Sequence, residues 1–145
     1  MSTAPFLLFS AALLFPSFST AQPAAGFAQA QLSGWWAESY NTDQACDPQN
    51  LRVRHTISPE GRRLVIQFDR KWKTDLGEMD RIEATIMSST ERSLTIRYDG
   101  ESRTKRNGQP VEWELSMVAP GVYRWRETEW PAGTVNTVVG IRCAN

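Results

Sequence analysis

The chain has 145 residues, 41% of them hydrophobic and 22% charged, the proportions of one ordinary globular domain rather than of a disordered or fibrous chain. Sixteen Lys and Arg balance sixteen Asp and Glu, so no net field draws the protein to nucleic acid or an anionic surface, and neither partner is expected. One histidine and two cysteines are too few for a zinc site of the usual composition, and no metal or cofactor is expected.

Every charged residue lies at Glu38 or beyond, and the chain opens with the apolar run FLLFSAALLF over residues 6–15. A helix needs about 20 apolar residues to cross a bilayer, so no membrane span is expected. A short apolar run followed by Pro16 and small residues reads instead as a cleaved secretory signal. Ser19-Thr20-Ala21 offers small residues where a signal peptidase reads them, and Ala28-Gln29-Ala30 does so again. The expected organisation is a signal peptide over residues 1–21, with cleavage as late as residue 30 as the alternative, an extension over 22–32 and one domain over 33–145. The expected location is the periplasm or the medium. There, Cys46 and Cys143 are expected to pair.

After Gln31 the sequence alternates apolar and polar residues in short runs, the pattern of half-buried strands. Strands are predicted at 34–40, 51–58, 62–69, 79–88, 92–99, 111–118, 122–128 and 135–142. In the second, Leu51, Val53, His55 and Ile57 share one face and Arg52, Arg54 and Thr56 the other. Such one-sided strands belong to an antiparallel sheet with a single buried face. Three connections are tight, at Pro59-Glu60-Gly61, Ser89 to Glu91 and Ala119-Pro120-Gly121. The others carry NTDQACDPQN, RKWKTDLGE, GESRTKRNGQP and EWPAGTVN. Tight and long links alternate along the chain, so an up-and-down meander puts all tight turns at one end and the long links at a mouth. Closing the meander into an eight-stranded antiparallel barrel removes both sheet edges.

That topology sets a constraint on the disulfide. Cys143 belongs at the closed end and Cys46 in a mouth loop, a separation of roughly 25 Å along a full strand, whereas a disulfide needs Cα atoms within about 7 Å. Either the first strand is short and its loop folds back along the barrel wall, or a boundary between Tyr40 and Leu51 is misplaced.

His55, the only histidine, is in phase with the apolar face of its strand, and Glu38 is its best candidate partner for proton transfer. The plainer expectation is a buried histidine satisfied by one acceptor. No nucleophile elbow, zinc-helix motif or Walker loop is present. Asp75, Glu78 and Asp80 cluster without calcium-loop spacing and read as a solvated acidic loop. The aromatic residues are more distinctive, with Trp36, Phe68, Tyr98, Trp113, Tyr123 and Trp125 in phase with apolar neighbours. They either plug the interior or wall a pocket. On the second reading Trp36, His55, Tyr98, Trp113, Trp125 and Glu127 are candidate ligand contacts. Trp72, Arg103, Arg106 and Trp130 fall in the mouth links and are candidates for a partner-binding rim.

At Gly34-Trp35-Trp36 the chain resembles the calycin superfamily, the lipocalins and avidins, exported meander barrels that begin with G-x-W on the first strand. The resemblance implies that Trp36 lies inside the closed end, covered by Arg142 from the last strand. Trp35 then faces outward, shielded by residues 27–32. A T-D-Y-like element is missing before the seventh strand, where the chain reads Ala119-Pro120-Gly121-Val122-Tyr123, and the size is closer to an avidin or a small periplasmic lysozyme-inhibitor barrel. The function expected is non-enzymatic binding of a small apolar or aromatic molecule. The alternative is a protein-binding module, such as a hydrolase inhibitor, that captures an extracytoplasmic protein through its loops.

Overall fold

Alternating side chains place one apolar stripe of every strand toward a common axis, and the strands wrap around it. The computed structural model describes residues 26–74 and 77–144; the expected signal peptide at 1–21 and Asp75 of the acidic cluster lie outside the described residues. The strands are β1 (Trp36–Ser39), β2 (Arg52–Ile57), β3 (Arg63–Thr74), β4 (Gly77–Ser89), β5 (Ser93–Tyr98), β6 (Trp113–Ala119), β7 (Val122–Glu127) and β8 (Val139–Arg142). Each pairs antiparallel with its sequence neighbour, and β1 pairs with β8 from Trp36 opposite Arg142 to Ser39 opposite Val139, closing an eight-stranded up-and-down barrel.

The tight turns gather at one end, as predicted. At the first, the Gly61 N–H donates to the Ser58 carbonyl at 2.8 Å with φ of 70°, a conformation that glycine adopts without a Cβ penalty. At the second, the Thr90 N–H donates to the Ser93 carbonyl at 2.9 Å. The predicted long link RKWKTDLGE differs. Trp72, Lys73 and Thr74 pair with Met79, Glu78 and Gly77, so β3 and β4 extend as a ribbon beyond a register shift between Gln67 and Trp72. Backbone pairing carries this extension, because DRKWKT offers no alternation for the sequence pattern to register.

The lower part of the barrel is solid. Trp36, Val53, His55, Leu64, Ile96, Leu115 and Tyr123 are all fully buried there. Gly140 lets the Tyr123 ring lie against the wall, since a Cβ at that position would meet the ring at 2.2 Å. The residues ahead of β1 form a 3₁₀ turn, Gln29–Leu32, under this floor. The Trp36 indole N–H donates to the Leu32 carbonyl at 3.1 Å, the Arg142 guanidinium lies 4.8 Å from the Trp36 ring centre, and it also bonds the Gln31 carbonyl. The expectation that residues 27–32 shield Trp35 is corrected here. Phe27 and Leu32 are core residues instead, and Trp35 stands on the outer wall with Arg54 and Arg52 over its ring at 5.0 and 5.7 Å.

Cys46 and Cys143 form the disulfide, with Cα atoms 5.5 Å apart. The first of the two geometric solutions holds. β1 has only four residues, and the chain after it folds back so that Ala45 and Cys143 pack with Ala37 in a small apolar cluster outside the main core.

Candidate functional site

The inward stripes change character along the barrel axis. β3 runs Leu64, Ile66, Phe68; β5 runs Leu94, Ile96, Tyr98; β6, read upward, runs Met117, Leu115, Trp113. The aliphatic members interdigitate near the tight turns, while the rings line a cavity of about 820 Å³ that opens at the mouth. Phe68, Tyr98, Trp113 and Trp125 form its aromatic wall, and Leu51, Ile66 and Ile82 complete the apolar surface.

Two carboxylates line this cavity, Glu38 and Glu101, with the cations Lys73 and Arg103. Glu38 follows Trp36 by two residues on β1 and therefore shares its inward direction. Its Oε1 accepts the Tyr123 hydroxyl at 2.7 Å and the Trp125 indole N–H at 2.9 Å. Burial, reinforced by the Glu38 charge, pushes the Tyr123 hydroxyl well above its ordinary value, so it remains a donor. The Tyr98 hydroxyl is raised by burial first and the Glu38 charge second.

The rim is braced by a second polar group. Arg103 grips Glu101 with two parallel bonds, Nε to Oε1 at 2.8 Å and a terminal nitrogen to Oε2 at 2.7 Å, a geometry only a guanidinium supplies. The pairing holds the Glu101 carboxyl below its usual range. The Arg103 guanidinium also lies 5.7 Å from the Trp113 ring centre, and Trp130 meets Trp113 edge-on at 5.7 Å. Trp113 is thereby held between a cation and a second indole.

Of the residues singled out in the sequence, Tyr98, Trp113 and Trp125 share the cavity wall, and Trp72 and Arg103 stand at its edge. Trp36 and His55 lie beneath the floor in the solid core and do not line the cavity. Glu127 ends β7 opposite Trp113 without reaching the cavity surface, and the Arg106 backbone N–H donates to Glu129 at 3.1 Å on the outer side of the rim. His55 also departs from expectation in a second way. Neither ring nitrogen has a hydrogen-bond partner, its ring meets Tyr123 edge-on at 5.4 Å, and Glu38 is engaged elsewhere. Burial lowers its pKa from 6.5 to about 3.

Glu38 as a cavity residue and the Glu101 clamp were not singled out from the sequence. The signal for Glu38 was present, since an acid in phase with a buried Trp on a barrel strand is rare enough to mark a site. Glu101 lies in an irregular link, where no period assigns a direction. Among the described residues, no group of three or more His, Cys, Asp or Glu is gathered as a metal ion would require. Comparison with protein-family models, with curated proteins and with solved structures finds no match to this chain.

Proposed function

We propose that this protein is an exported, calycin-like binding protein that holds a small apolar or aromatic molecule in the upper part of its barrel. The observation that carries the reading is the cup itself, about 820 Å³ with Phe68, Tyr98, Trp113 and Trp125 in its wall and charged and amide side chains among its lining, within the usual 300 to 1,000 Å³ range of small-molecule sites. A barrel whose rings merely filled the interior would leave no such space. Arg142 over Trp36 is the arrangement that the calycin resemblance implies, and it supports that finer assignment. The Cys46–Cys143 disulfide supports an oxidising compartment. Binding is favoured over catalysis because His55 is sealed below the floor and kept neutral.

Native mass spectrometry of the protein purified from its own compartment, with titration of an apolar naphthalene dye followed by tryptophan quenching, tests this. The expected result is a co-purifying small mass or saturable one-to-one dye binding. Absence of both overturns it. A co-purifying protein would favour the competing reading, capture of a partner by the rim, whose observation is Trp72, 50% exposed between Lys71 and Lys73.

A further inference from the structure

The cup contains one charge whose hydrogen bonds are only half used. Glu38 Oε1 receives both the Tyr123 hydroxyl and the Trp125 N–H, and no hydrogen bond among the described residues reaches Oε2. The two donors fix the carboxylate's orientation. The residue is nevertheless exposed, and the space it opens on is the cup it lines.

Satisfying Tyr123 and Trp125 does not require a charge. Both are neutral donors, and an amide oxygen at this position would accept from both. A carboxylate in place of that amide adds a full negative charge at the cavity, which pairs best with a cationic donor. No Lys, Arg or His among the described residues forms an ion pair with Glu38; of the two cations that line the cavity, Arg103 grips Glu101 and Lys73 follows Trp72 on the β3 extension. The faces of Trp113, Trp125, Tyr98 and Phe68 surround the same space, and aromatic faces attract organic cations.

We propose that the occupant of the cup carries a protonated amine on a flat apolar body, the ammonium seated on Glu38 Oε2 and the body against the aromatic wall. The proposal rests on the ligand-cup reading and names the chemical class it selects. An anionic ligand is disfavoured at the floor by the same carboxylate, and a neutral one leaves Oε2 without a donor matched to its charge.

Isothermal titration of the unmodified protein at neutral pH with naphthylethylamine, naphthylethanol and naphthylacetate decides it, because the three differ mainly in the head group. The amine is expected to bind at least about tenfold tighter than the alcohol, and the carboxylate weakest, as a charge-assisted hydrogen bond requires. In Glu38→Gln the amine should fall to within about twofold of the alcohol, with the alcohol unchanged, since the amide still accepts from Tyr123 and Trp125. Alcohol binding as tightly as amine overturns the cation proposal and leaves the cup standing. A preference for amine that survives in Glu38→Gln overturns Glu38 as its source. Failure of all three probes overturns the cup together with the proposal. The comparison of probes on the unmodified protein remains decisive even if the variant does not fold.

Discussion

A neutral imidazole has one N–H to donate and one nitrogen to accept, and His55, fully buried beneath the cup, satisfies neither. The core therefore tolerates the ring only uncharged, with the pKa lowered by burial from 6.5 to about 3. In the unfolded chain the group takes up a proton below about pH 6.5, whereas in the folded barrel it does so only near pH 3. Its folded pKa is the lower one, so stability is full above 6.5 and is lost as pH falls toward 3. Between neutral pH and pH 5 this amounts to about 2 kcal/mol. The carboxylates held low by arginines, Asp69 by Arg70 and Asp99 by Arg63, follow the same sign but give way only below their ordinary range near pH 4. Urea midpoints measured at neutral pH and at pH 5 should therefore differ in the native protein and nearly coincide in His55→Leu. That variant should be no less stable at neutral pH, since it removes two unsatisfied buried nitrogens. An unchanged pH slope in the variant would exclude His55 as the cause. The position of His55 was legible in the period of β2. Its lack of a partner was not, because a partner comes from other strands and one strand's pattern carries no register.

At the scale of elements, β1 and β8 are the shortest strands and yet close the barrel, each four residues long. β1 meets β2 at only two register positions, Trp36 with Val53 and Ala37 with Arg52, so the seam is weakly held by backbone pairing. The disulfide fastens the loop that follows β1 to the end of β8 across 97 positions of sequence, so the short β1 and its connection to β2 are held from the β8 side of the seam. Constraining so long a loop in the unfolded chain stabilises the fold by about 4 to 5 kcal/mol on the chain-entropy model. Replacing both cysteines with serine should lower stability by roughly 2 to 5 kcal/mol. Amide exchange should then quicken first in residues 40–51 and in β8 rather than in the β3–β4 ribbon. Uniform loss of protection would mean that the bridge acts on the whole barrel and not on the seam. The cysteine pair was readable from count and the expected compartment, and a short first strand was one of two ways to meet the distance such a pair demands. The ribbon was not readable, because Arg70 to Lys73 are polar or exposed on both faces and only pairing with β4 defines them as strand.

For the whole molecule, the question left open by composition is how much of the interior its rings occupy. Ring count alone does not answer it, since the same aromatic set fills or walls a barrel according to how the strands are staggered. The order of residues along β3, β5 and β6 does answer it, with aliphatic side chains packed below around Trp36 and Tyr123 and the rings of Phe68, Tyr98 and Trp113 standing around open space above. β6 carries the contrast within three residues. Leu115 is fully buried beneath the floor, while Trp113 lines the cup with its indole N–H lacking a partner. Truncating Leu115→Ala leaves a void in a packed layer and should cost about 2 to 5 kcal/mol, with dye affinity for the cup kept within about twofold. Trp113→Leu removes a half-buried ring together with an unsatisfied donor, and should cost less than about 1.5 kcal/mol while weakening dye binding by about fivefold or more. Denaturant melts and dye titrations on the two variants read both quantities. If the substitution that costs stability also costs binding, the solid floor and the open cup are one cooperative unit; if they separate as expected, the barrel has divided folding and recognition between the two ends of the same strands.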